Sequence, residues 1–188
     1  MQHGALDYSN LLPMFQAMRA SGAVLMARVP WNEPGIVMKA LDAGAYGIIG
    51  PMVNTAEDAV RFVSYLRYPL LGQRSFVPTR VSFAAGANYA GEAHDNILGF
   101  AMIETAEAMA NLDAIATTPA LDGLYIGPAG LTLSLTGGKL APGGFDRKEP
   151  EMIAAIQQIL AACKANGLRA GLHCGTPSMR PVRLAGGF

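Results

Sequence analysis

Five short apolar runs, each followed by a stretch with helical spacing, set the limits on what this chain can fold into. The runs are Ala23 to Val29, Tyr46 to Gly50, Ile97 to Ile103, Gly123 to Ile126 and Leu168 to His173. Ala23 to Val29 in particular reads as a buried strand, the pattern of a strand covered on both faces in a parallel sheet. Helical spacing appears between the runs. Leu11, Leu12, Phe15 and Met18 form one stripe, with Asp7 and Ser9 as candidate caps and Gly22 as the stop. Pro34 suits a first helical turn, and that helix runs to Ala43-Gly44. Asn54 or Thr55 caps a helix with Glu57 and Asp58 in its first turn, and Thr105 opens another. Met152, Ile156, Ile159 and Cys163 mark the clearest stripe, ended by Asn166-Gly167, and a last helical fragment runs toward Phe188. No hairpin signal occurs. The alternation predicts a parallel α/β fold, either an open doubly wound sheet or a barrel.

Two stretches break the rhythm. Residues 67–88 read as a long connection, and Gly137 to Pro150 as a second loop. Arg74 and Arg80, in the first of these, read as surface ion-pairing residues, ahead of contacts to an anionic substrate or a neighbouring subunit; Trp31 reads as a packing residue at the mouth of the site, and the 10 methionines mostly as core gap-fillers.

At 188 residues the chain is long enough for one large core or at most two small ones, and residues 1–188 are expected to form a single domain. Lys plus Arg and Asp plus Glu are 14 each, which removes a general electrostatic case for nucleic acid or an acidic membrane. No apolar run approaches the roughly 18 residues of a spanning helix, and Met1-Gln2-His3-Gly4 lacks the basic start of a signal peptide, so a cytoplasmic location is expected. Cys163 and Cys174 make neither a disulfide framework nor a zinc cluster. The dinucleotide Gly-x-Gly-x-x-Gly, the phosphate loop and the Gly-x-Ser-x-Gly elbow are all absent.

What remains is a set of polar residues placed just after strands: Arg28, Glu104 and His173. Catalytic groups occupy the carboxyl ends of strands in both barrels and open parallel sheets. His173 and Cys174 are adjacent and point to opposite faces, so they do not form a dyad. Both are left out of the chemistry.

The strand ends carry a resemblance. Gln2-His3-Gly4, Arg28-Val29-Pro30-Trp31-Asn32, Pro51-Met52-Val53, Ile103-Glu104-Thr105 and Ile126-Gly127-Pro128-Ala129 come in that order. With Arg74-Ser75-Phe76 and Gly171-Leu172-His173-Cys174-Gly175-Thr176, they resemble the HpcH/HpaI family of metal-dependent pyruvate aldolases over nearly the whole chain.

The resemblance implies a (β/α)8 barrel of the TIM type and retro-aldol cleavage of 4-hydroxy-2-oxo acids, such as 4-hydroxy-2-oxoheptanedioate, to pyruvate and an aldehyde. It implies a divalent metal, Mg2+ or Mn2+ and conceivably Co2+, with Glu104 as a ligand. Arg28 matches the arginine facing the keto oxygen, and His3 the histidine that takes the proton of the 4-hydroxyl. Gly127, Pro128, Ala129 and Gly130 match the family's Gly-Pro-Ala-Asp motif in all but the last residue, and are expected to bind substrate, the backbone amides of Ala129 and Gly130 at a helix start taking the pyruvate carboxylate. Gly130 departs from the family, which carries there an aspartate that is a second metal ligand; the departure implies weakened metal affinity. The aspartate that stands three residues before the family's histidine would fall outside the chain.

The family's homo-oligomers, generally hexamers, imply self-association here. A second reading stays open: a degenerate or truncated member that binds oxo acids or assembles with other subunits without efficient catalysis. On the family map the five strands are the third to the seventh of eight, so an incomplete barrel with two strand edges is expected.

Overall fold

The structure, a computed structural model, describes residues 1–139 and 145–176. The helical fragment expected toward Phe188 and residues 140–144 of the second loop lie outside the described residues. Five strands, β1 (Met26–Arg28), β2 (Gly47–Gly50), β3 (Leu98–Ile103), β4 (Gly123–Ile126) and β5 (Arg169–Leu172), form one sheet in chain order. The pairs β1–β2, β3–β4 and β4–β5 are parallel. Nine α-helices lie among the described residues: α1 (Tyr8–Met18), α2 (Pro34–Asp42), α3 (Ala56–Leu66), α4 (Thr79–Ala85), α5 (Tyr89–Asn96), α6 (Ala106–Ala110), α7 (Leu112–Ala116), α8 (Pro128–Leu135) and α9 (Pro150–Ala165). This is the parallel α/β architecture that the alternation predicts. The chain divides into two compact units, Met1–Pro51 with Val60–Gly99, and Met52–Ala59 with Phe100–Phe188.

In the first unit, Asp7 caps α1 by accepting from the backbone of Ser9 and Asn10 while Asn10 answers the Asp7 amide. The serine hydroxyl and these amides hold the Asp7 carboxyl below its ordinary range. Glu33 caps α2 ahead of Pro34, as a proline in the first turn permits. Phe15, Leu25, Val29, Val37, Leu41, Ile48 and Phe62 make the core. Gly50 is required by packing, since a Cβ there would meet Phe62 Cε2 at 2.6 Å.

Several readings of this unit change. The strand expected over 23–29 is shorter: β1 is in register with β2 over Met26–Arg28, with the Tyr46 amide donating to the Leu25 carbonyl and the Val29 amide to the Ile49 carbonyl at its two ends, and Val24 is left exposed. Residues 67–88 are not an unbroken loop: Val81 is buried on α4, whose seven residues are too few to display a period. Arg74 is not a surface residue. Its side chain is fully buried, with Nη2 donating to Asp42 Oδ1 at 2.7 Å and to the Tyr89 hydroxyl at 3.1 Å. The guanidinium lies 4.4 Å from the Tyr68 ring centroid, so aromatic faces take the place of water around it. Trp31, read as a packing residue at the mouth of the site, stands 57% exposed in the turn between β1 and α2. Met14, Met18 and Met26 are likewise exposed rather than core.

In the second unit, the parallel register aligns Ile103, Ile126 and Leu172 across β3, β4 and β5. Ala101, Ile103, Leu124 and Ile126 are fully buried, and α9 packs on β4 and β5. Alternation puts Met102 and Tyr125 on the opposite face. Thr55 caps the start of α3, with Asp58 Oδ2 accepting from the Asn54 and Thr55 amides at 3.0 Å. Thr105 caps α6 as its sequence position predicts. No helix among the described residues is long and apolar enough to cross a membrane.

Candidate active site around Glu104

Glu104 follows the last residue of β3 and is 8% exposed. Its Oε1 accepts the backbone N–H of Met52 at 2.9 Å. Among the described residues it has no other hydrogen bond and no cationic partner. A carboxylate withdrawn from water with one hydrogen bond is costly unless a cation joins it. Met52 reaches Glu104 from a left-handed backbone, φ 54°, a strained conformation for methionine. The segment is held in place beyond it: Thr105 Oγ1 donates to Asn54 Oδ1, and Asn111 Nδ2 to the Asn54 carbonyl at 2.9 Å.

The next strand end adds a surface without side chains. The Gly127 amide continues the ladder by donating to the Ile103 carbonyl at 3.1 Å, and α8 begins at Pro128, which is buried. A Cβ at Gly127 would collide with Met102 Cε and come within 3.4 Å of Glu104 Oε2; one at Gly130 would stand 3.3 Å from the same oxygen. Glu104, Gly127 and Gly130 therefore converge, and the two glycines form a cradle over the carboxylate. Ala129 and Gly130 lie in the first turn of α8, where backbone amides have no partner within the helix.

This donor set fits a hard divalent cation in a limited way. No group of three or more His, Cys, Asp or Glu suited to a metal occurs among the described residues. Glu104 would hold the ion with water and substrate oxygens, the kind of shell Mg2+ accepts. The uncompensated buried carboxylate is the observation in favour.

The other two residues singled out from sequence belong to the first unit. Arg28 ends β1 half-buried and lines a cavity of about 260 Å3 with Met1, Leu6, Leu11, Met14 and Met26. Partial burial, and secondarily the Arg28 charge, lower the pKa of the Met1 ammonium. His3 is exposed and makes no hydrogen bond or ion pair among the described residues.

Sequence reasoning passed over two features. The Met52 amide gives no signal in the sequence, because a backbone donor has no side-chain identity. His173 was set aside, yet its Nδ1 lies 3.1 Å from the Tyr125 hydroxyl. No spacing along the chain signals that contact, because it needs the pairing register of β4 and β5.

The profile of the HpcH/HpaI aldolase/citrate lyase family matches residues 2–173. The chain belongs to this family. It is 42% identical over 188 residues to the hydroxypyruvate/pyruvate aldolase of Rhizorhabdus wittichii, covering all of this chain and 73% of that one. It is 33% identical to the 2-dehydro-3,6-dideoxy-6-sulfogluconate aldolase of Pseudomonas putida, covering 72% of that chain. A crystal structure of an HpcH/HpaI aldolase/citrate lyase family protein from Burkholderia cenocepacia J2315 superposes with a TM-score of 0.88 at 28% identity, over all of this chain and 74% of that one. HpcH/HpaI membership places the chain among aldolases and lyases, and the parallel α/β fold is that of its structural neighbours.

Proposed function

We propose that this HpcH/HpaI chain performs metal-assisted aldol cleavage and formation on 4-hydroxy-2-oxo acids, with pyruvate or a close 2-oxo acid as one partner. The observation that carries the reading is Glu104, a buried carboxylate without a cationic partner among the described residues, placed at a strand end against a bare glycine cradle. The names of the aldolases from R. wittichii and P. putida support it.

Glu104 would hold the divalent ion, and the Met52 amide fixes the carboxylate by occupying Oε1. When bound, the ion supplies Lewis-acid stabilisation for negative charge developing on the 2-oxo oxygen as the bond between C3 and C4 breaks. The first-turn amides of Ala129 and Gly130 suit the substrate carboxylate, because a helix start favours an anion. By their match to the family motifs, Arg28 adds positive charge toward the keto oxygen and His3 accepts the 4-hydroxyl proton. The aldehyde then leaves, and C3 takes a proton to give the 2-oxo acid. Binding of oxo acids without turnover is the alternative; Gly130, which offers no second carboxylate, favours it.

The test is pyruvate release from a 4-hydroxy-2-oxo acid with Mg2+ or Mn2+ and with a chelator, for the wild-type chain and Glu104→Gln. Turnover that needs metal and falls at least roughly a hundredfold in the variant supports the reading, on the scale of one lost electrostatic contact. Equal rates in metal and chelator would refute it. Metal-dependent oxo-acid binding without turnover selects the alternative.

A further inference from the structure

The hydrogen-bond ladder does not stop where the strands are drawn. Gly127 N–H donates to Ile103 O, and His173 N–H donates to Ile126 O at 3.2 Å. Extending the register by one residue puts Glu104, Gly127 and His173 in a single row across β3, β4 and β5. In a parallel sheet, residues in register point to the same face. Two independent contacts agree. A Cβ on Gly127 would meet the Glu104 side chain, and the Tyr125 hydroxyl, two residues before Gly127 and so on that same face, meets His173 Nδ1.

We propose that His173, oriented by Tyr125, is a specificity-determining residue on the Glu104 face that hydrogen-bonds to a hydroxyl of the aldehyde half of the substrate. The proposal rests on the aldolase reading above. The 2-oxo-acid end is assigned to Glu104 and the first turn of α8, and Gly127 has no side chain, so the next side chain along the row is His173. The part of the substrate beyond C3 meets it there. The imidazole is half-buried, with the Phe145 ring edge-on at 4.2 Å. Asp146 braces that neighbourhood by accepting from the Gly175 amide at 2.9 Å and the Thr176 hydroxyl at 2.8 Å. An imidazole held in this way meets a hydroxyl at little cost in ordering. A site built to hydrogen-bond a hydroxyl discriminates against an apolar group of the same size, which cannot answer it. The class favoured is therefore the short hydroxylated aldehyde over its deoxy counterpart.

The test compares glycolaldehyde with propanal as acceptors for pyruvate in the metal-loaded protein, for wild type, His173→Phe and Tyr125→Phe. Phenylalanine keeps a ring against Phe145 and removes the polar atoms. His173→Phe is expected to lower kcat/KM for glycolaldehyde roughly tenfold, mostly through KM, and to leave propanal within about twofold. Tyr125→Phe should shift the same ratio in the same direction by less. A second readout needs no turnover: imidazole 15N resonances of His173 should move when glycolaldehyde is added with Mg2+ and pyruvate, and stay in place with propanal. Equal losses for the two aldehydes, or resonances that answer both alike or neither, overturn the proposal. A wild-type chain that binds but does not turn over fails the aldolase reading alone, and the resonances then decide.

Discussion

A Cβ at Gly130 would lie 3.3 Å from Oε2 of Glu104. The start of α8 thus faces a buried carboxylate at a position from which a short acidic side chain would join it. Gly130→Asp brings a second carboxylate to that oxygen. Without metal, two like charges in a shielded place repel, and the Glu104 backbone oxygen, 3.2 Å from the new Cβ, must give slightly. The variant should melt lower than wild type in chelator. With Mg2+ or Mn2+ the sign reverses, because ligand charge raises affinity for a hard cation. Calorimetric titration should read tighter binding by roughly one to two orders of magnitude, the size of effect metal-site changes commonly have. Unchanged affinity would remove the account of Gly130 as the weak point of the site.

The buried Arg74 is the second place where substitution is informative. Its guanidinium joins Asp42 and Tyr89 by hydrogen bonds and Tyr68 by its face, in a unit where the side chain has no water contact. Arg74→Lys keeps the charge and loses the planar face against Tyr68. A cost of roughly 2–4 kcal/mol is expected, the range for disrupting a large buried side chain and its partners. Asp42 remains partly exposed and can rehydrate, which limits the loss on its side. Denaturant unfolding with an unchanged midpoint would show that the stack contributes nothing.

These two residues also mark what the sequence could and could not convey. The fold was legible because strands covered on both faces must be apolar throughout, and Leu124 and Ile126 obey that rule. The place of Glu104 after β3 was legible because it directly follows such a run; its burial was not. Arg74 was not, since its burial depends on Tyr68 and Tyr89 closing over it, and both sit in or next to a segment without period. The Tyr125–His173 contact was hidden for a related reason. It needs the pairing register of β4 and β5, which spacing along one chain does not specify.

The two cysteines should separate by reactivity. Cys163 is buried on α9, and burial pushes its thiol pKa up, so it forms little thiolate at mildly alkaline pH. Cys174 is half-buried beyond β5. A thiol reagent added to the native chain should label one equivalent quickly and the second only after denaturation. Two fast native equivalents would contradict the packing of α9.

Alkaline pH should unfold the first unit from its aromatic cluster. Burial pushes the Tyr68 hydroxyl up to about 12, with the Arg74 charge pulling the other way, and burial also raises Tyr89. A raised folded pKa means that the folded chain holds these protons more tightly than the unfolded one. Their contribution is complete below the unfolded value of about 10 and is lost as pH climbs toward 12, because the unfolded state ionises first. Stability measured by denaturant should therefore fall across that window. Tyrosinate absorbance in the native chain should lag behind that of a Tyr68→Phe, Tyr89→Phe variant when each is counted per tyrosine. In the variant the decline in stability over the same range should be shallower. An equal slope in both chains would place the alkaline sensitivity outside this cluster.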